Sequence, residues 1–186
     1  MIFGPAMRCR LLALGLLTCL TACGGAGPYG YSRTYTPLDA EEDAAEGARE
    51  YDPVMAERDK AEWKKSRISL FGIVSKRTEG PGGTAYVTLS VRSLEVRNLC
   101  EQLDEATCRV TVGEREFAIV HARLKLSPGD DIGEKSLNRG SLVRVLGKLT
   151  DEVDPDDGTP VLKADYYRHW PRNFFVTTAS RPDMPM

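Results

Sequence analysis

RISLFGIVSKRTEGPGGTAYVTLSVRSLEV, residues 67–96, alternates apolar and polar side chains on either side of a glycine-rich turn. In a strand, successive side chains point to opposite faces, so this period of two reads as two antiparallel strands. Ile68, Leu70, Gly72 and Val74 share one face of the first strand, and Phe71 and Ile73 lie on the other. A glycine inside a strand marks a bend or the close approach of another backbone, and Gly72 is so placed. Gly80-Pro81-Gly82-Gly83 supplies the turn. Ala85, Val87, Leu89 and Val91 are in phase, whereas Leu94 and Val96 fall one residue out of phase. That slip predicts a β-bulge near Arg92-Ser93.

Downstream, Arg109–Val112 and Glu116–His121 read as a hairpin around Gly113-Glu114. SPGDDIGEKSLNRG (127–140) reads as a connection with a short helical turn. SLVRVLGKLT (141–150) is a strand with Val143, Val145 and Leu149 on one face. DEVDPDDGTP is a turn-dense loop, and PVLKADYYRHWP (160–171) is a last strand stopped by Pro171. Three strands, a long connection and two more strands have the rhythm of a five-stranded OB-like Greek-key barrel, an all-β fold over 67–171. A small open β-sandwich is the rival.

Asp52-Pro53 begins a short helix over 52–66, with Asp at the N-cap and Pro at N1. Val54, Ala61 and Trp63 give it a weak apolar stripe. Residues 24–50, GGAGPYGYSRTYTPLDAEEDAAEGARE, have no apolar period, and 23–51 is expected to be a flexible acidic tether. Residues 172–186 form a tail, expected either to add an edge contact through Phe174 and Phe175 or to be disordered.

The opening, MIFGPAMRCRLLALGLLTCLTAC, has Arg8 and Arg10 before an apolar run from Leu11 to Leu20. A bilayer-spanning helix needs about 20 such residues, so the run suits a signal peptide over 1–22. Met7 offers a second start site. Leu20-Thr21-Ala22-Cys23 resembles the bacterial lipobox, whose cysteine receives a diacylglycerol; ordinary small-residue cleavage is the alternative. The resemblance implies lipidation of Cys23, and Gly24 after it implies sorting to the outer membrane with the domain in the periplasm. Two or more acyl chains hold a protein firmly without a basic patch. Membrane contact is therefore expected through the lipid anchor.

The chain carries 25 basic and 27 acidic residues; losing Arg8 and Arg10 leaves 23 basic, a net of −4. That charge argues against a nucleic-acid partner. Of five cysteines, only Cys100 and Cys108 remain in the body of an exported chain, and they read as a disulfide rather than a redox pair, because no C-x-x-C is present.

GSLVRVLGKL (140–149), with Pro160-Val161-Leu162, Ala164-Asp165 and Trp170-Pro171, resembles the closing strands of the Slp-type outer-membrane lipoproteins. That resemblance spans about 67–171 and implies a lipid-anchored OB-like barrel without catalytic residues. The Cys100–Cys108 loop and the acidic tether are outside the family's pattern.

His121 and His169 lie on separate strands, too few for a metal site by spacing. Asp154-Pro155-Asp156-Asp157-Gly158 lacks the later ligands of a calcium loop and reads as a hairpin turn. Asp130-Asp131 and Glu41-Glu42 read as solvated acids. No catalytic motif is present, so a non-enzyme without cofactor or metal is expected. Tyr166, Tyr167, Arg168 and Trp170 on the last strand form a candidate interaction surface for an envelope protein or cell-wall partner; edge packing is the alternative. The remaining alternatives are a structural envelope lipoprotein without a ligand, and a membrane-surface hydrolase or redox protein.

Overall fold

Alternation in the strands sorts the apolar side chains into two buried clusters. The computed structural model describes Tyr29 and residues 34–99 and 109–183. The signal peptide, Cys23 and the Cys100–Cys108 pair lie outside the described residues. In chain order the elements are α1 (Asp39–Ala45), β1 (Arg49–Glu50), α2 (Pro53–Arg58), α3 (Lys60–Lys65), β2 (Ile68–Gly80) and β3 (Thr84–Arg92). There follow β4 (Val110–Val112), β5 (Ala118–Lys125), β6 (Leu142–Val153), β7 (Pro160–Trp170), β8 (Phe175–Thr177) and a 3₁₀ turn, Thr178–Asp183.

The chain is mostly β, as its periodicity implies. One sheet has six strands in the order β1-β2-β3-β5-β7-β6, and β6 pairs again with β2. The pairings among β2, β3, β5, β7 and β6 therefore run in a closed circuit, parallel only between β5 and β7. The principal core takes Ile68, Leu70 and Val74 with Val87, Leu89, Val143, Val145 and Leu162. The opposite face of β2 is covered too: Phe71 and Ile73 join Val110, Val112, Leu142 and Trp170. At Gly72 the close approach is to β3, since a Cβ there would lie 2.9 Å from Leu89 Cβ and 3.4 Å from the Ser90 carbonyl oxygen.

Several expectations are corrected. The hairpin of 109–121 does not form. Val110–Val112 pairs in parallel with Phe175–Thr177, and the tail is thereby held in place. The neighbour of β4 is the 93–95 segment, through Gly113 N–H to Ser93 O (2.8 Å) and Glu95 N–H to Thr111 O (3.0 Å). The phase slip after Arg92 is accordingly not a bulge. β3 ends there, and Leu94 makes an isolated bridge to Val112. The register shifts fall instead between Val74 and Lys76 on β2 and at two points of the β6–β7 ladder.

The single helix of 52–66 is two. Asp52 caps the first as its composition predicts, accepting from Val54 and Met55 N–H. Asp59, at φ −135° and ψ 63°, breaks the run and caps α3 through the Glu62 N–H. Trp63 and Ala56 face the core, and Val54 is exposed.

The described part of the supposed tether is ordered. Glu41 of α1 is wholly buried. One carboxylate oxygen accepts from Arg144 on β6 (2.6 Å) and the Tyr35 hydroxyl; the other accepts from Arg168 on β7 (2.8 Å) and the Leu38 N–H. Burial pushes this carboxyl upward, but the hydrogen bonds from Tyr35, Arg144 and Arg168 outweigh it and hold it below its ordinary value. Tyr35 also packs edge-on against Phe71 and beside Trp170. Composition predicts a segment too polar to fold by burial; a buried ion network fixes it instead. Among the described residues no helix is long and apolar enough to cross a membrane.

Candidate functional site

Because Val87, Leu89, Ala122 and Leu124 turn into the core, Tyr86 and Thr88 on β3 and His121 and Arg123 on β5 turn outward. Antiparallel register sets Thr88 opposite His121 and Tyr86 opposite Arg123. The β6–β7 turn folds over them. Its shape is set by its own side chains, as its Asp and Gly content predicts. Asp154 Oδ1 accepts the Asp156 N–H and Asp157 Oδ1 accepts the Thr159 N–H (both 2.9 Å), and Gly158 takes φ +71°.

His121 is 5% exposed beneath this turn. Its Nε2 lies 2.9 Å from Asp157 Oδ2, and its Nδ1 lies 3.2 Å from Thr88 Oγ1 and 3.4 Å from Asp154 Oδ2. The Tyr86 ring stacks on the imidazole at 5.6 Å, and the Tyr86 hydroxyl donates to Asp154 Oδ2 (2.8 Å). That hydrogen bond and the Asp156 N–H lower the Asp154 carboxyl. The Thr159 hydroxyl, His121 and the Thr159 N–H bring Asp157 down to about 2. Burial and the bond to Asp154 raise the Tyr86 phenol. Both carboxylates thus stay ionised near neutral pH, with Tyr86 a protonated donor.

The spacing of His121, Asp154 and Asp157 in sequence conceals this convergence. Their ligand atoms lie within 4.8 Å of one another, the dimension of a metal site. The orientations favour another use. The two carboxylates approach different nitrogens of one ring, whereas a metal takes one nitrogen. Each carboxylate oxygen already accepts a hydrogen bond within the cluster. Thr88–His121–Asp157 has the connectivity of a nucleophilic triad, but neither Thr88 nor His121 lines the neighbouring cleft. The cluster fastens the turn to the sheet.

That cleft has a volume of about 900 Å³. The β2–β3 turn, at Gly80 and Pro81, and the β6–β7 turn, at Asp154 and Pro155, bound it, and its walls come from β3 and β5 together with Thr150 and Glu152 of β6 and Lys163 and Ala164 of β7. Its lining carries Arg123, Lys125 and Lys163 alongside Glu152 and Asp154. Arg123 pairs with Glu152 and sits 6.0 Å from the Tyr86 ring centre; Lys125 donates to the Gly82 carbonyl across the β2–β3 turn.

The interaction surface expected on the last strand does not form one face. Trp170 is wholly buried, and Arg168, also buried, binds Glu41. Tyr167 is half-buried; its hydroxyl donates to Asp130 (2.6 Å) and accepts from the Ser127 N–H (2.7 Å). Tyr166 is half-buried beside it in sequence. His169 binds the Lys135 carbonyl through Nε2 at 2.9 Å. The residues that do line the cleft carried one signal in the sequence: polar and aromatic positions alternating with core positions on facing strands. No protein-family model matches the chain, and no curated protein matches it.

Proposed function

We propose that the chain is an envelope lipoprotein, held to its membrane through Cys23, whose five-stranded OB-like barrel is a non-enzymatic binding module. The observation that carries this is where the cleft falls. In the circuit β2-β3-β5-β7-β6, the second and third strands line it together with the ends of β6 and β7, and the first-to-second and fourth-to-fifth turns bound it. OB barrels bind extended polymers with that face and those two loops. The Slp-type likeness of residues 140–171 and the lipobox-like leader support the location.

The ligand is a polar envelope polymer, a glycan strand or an extended peptide, lying along Tyr86 with Arg123, Lys125 and Lys163 as hydrogen-bond donors. Net acidity disfavours nucleic acid. The His121 cluster serves by rigidity, holding the β6–β7 turn at one wall. The test is an envelope pull-down followed by mass spectrometry, on the wild type and on Arg123→Ala/Lys163→Ala. A stoichiometric partner captured by the first and lost with the second is expected. Identical captures, or none from either, would overturn the cleft as the binding site.

A further inference from the structure

The described residues ahead of the sheet, Tyr29 and 34–48 (the arm), constrain how the domain sits on its membrane. Tyr29 packs against Phe174, with ring centres 4.6 Å apart. Lys135 lies 5.7 Å from the Tyr29 ring centre and 5.9 Å from that of Phe174, and the Arg109 guanidinium lies 5.1 Å from Phe174. The corner is built. The bond from His169 to the Lys135 carbonyl fixes the loop that carries Lys135. A left-handed turn at Asn173 (φ 75°) returns Phe174 to the body, where its N–H bonds Pro171 O at 2.9 Å. Arg172, two residues before Phe174, and Arg139, four after Lys135, are exposed cations, with Glu134 the acid beside Lys135 in sequence.

Tyr29 is six residues after Cys23. A fully extended chain spans at most about 3.6 Å per residue, so the aromatic corner lies within about 20 Å of the lipidated residue. A tether free up to residue 51 would have allowed several times that reach. We infer that the corner formed by Tyr29, Phe174, Lys135, Arg109 and Arg172 rests against the anionic headgroups of the membrane that holds the anchor, and that the cleft faces away from it. This rests on lipidation of Cys23. Tyrosine rings favour the membrane interface, and Lys and Arg are drawn to anionic lipid within a Debye length, about 8–10 Å.

The outward aim of the cleft follows from the β6–β7 ladder. The arm docks at its Leu142–Trp170 end, where Tyr35 meets Trp170. The cleft opens beside Thr150, Glu152 and Asp154, near the Val153–Pro160 end. The strand runs ten residues from Leu142 to Glu152, a contour of at most about 30 Å, so the two lie toward its opposite ends. A wall or protein partner then meets the cleft on the side away from the bilayer.

The mature chain in vesicles of phosphatidylethanolamine and phosphatidylglycerol, with a trace of lipid carrying a photoreactive diazirine in its headgroup, tests this. Adducts should concentrate in peptides covering 133–140 and 172–177, several-fold above those covering 150–158. Lys135→Ala/Arg172→Ala, which removes exposed side chains only, should lower them. Equal labelling of the two ends, or heavier labelling of 150–158, overturns the orientation. Intact mass on the same sample separates the causes. With lipid present on Cys23, such a result rejects the orientation alone; an unmodified Cys23 rejects both orientation and anchoring.

Discussion

Glu41 illustrates how one side chain can settle the state of a segment. Its burial is tolerable only because Arg144, Arg168, Tyr35 and the Leu38 N–H all donate to it. Removing one partner of a buried ion network leaves the others uncompensated and costs about 3–5 kcal/mol. Glu41→Ala should therefore lower the unfolding free energy by about that amount, measured by denaturant titration. It should also release α1, measured as faster hydrogen exchange over 39–50. The folded carboxyl titrates below its ordinary 4.5, so its contribution is complete above that pH and lost as pH falls through the lower folded value. Asp157, lowered from 3.8 to about 2, acts in the same direction further down. Stability should fall from about pH 4.5 towards 2, and Glu41→Gln should flatten the upper part of that slope. Beside the cleft, His121→Ala removes the ring that holds Asp157 Oδ2 through Nε2 and sets Nδ1 against Thr88 and Asp154. A loss of about 1–3 kcal/mol is expected, with faster exchange confined to the amides of 154–159.

At the scale of elements, Gly147 decides the β6–β7 pairing. A Cβ there would collide with the Lys163 carbonyl oxygen and crowd the Ala164 Cα, at the point where the register shifts. Backbone cannot move aside as a side-chain tip can, so Gly147→Ala should destabilise by about 3 kcal/mol or more in a thermal or denaturant scan. The strands themselves were legible, because Ile68–Val74, Ala85–Val91, Val143–Leu149 and the run from Pro160 to Trp170 obey a period of two that burial imposes. Their partners were less so. Val110–Val112 finds Phe175–Thr177 some 65 residues away, a pairing no local pattern announces. The order of the arm is hidden for a related reason: Glu41 looks like a solvated acid until two arginines more than a hundred residues later are placed around it. The cluster of His121, Asp154 and Asp157 is hidden in the same way, since its histidine sits on β5 and its acids in the β6–β7 turn. Asp154-to-Gly158 was legible as a turn because turn chemistry is local.

At the scale of the whole molecule, anchoring, orientation and binding form a chain of dependence. The circuit of five strands holds the cleft on one end and receives the arm on the other. In the proposed function, acyl chains on Cys23 supply the attachment, which the net charge of −4 expected after loss of residues 1–22 does not provide. Intact mass spectrometry of the mature protein isolated from envelopes tests that most directly. The predicted result is an N-terminus at residue 23 heavier than the bare polypeptide by a diacylglycerol, with or without an added acyl chain. A mature chain whose residue 23 is an ordinary free thiol, or one that still carries residues 1–22, would contradict it.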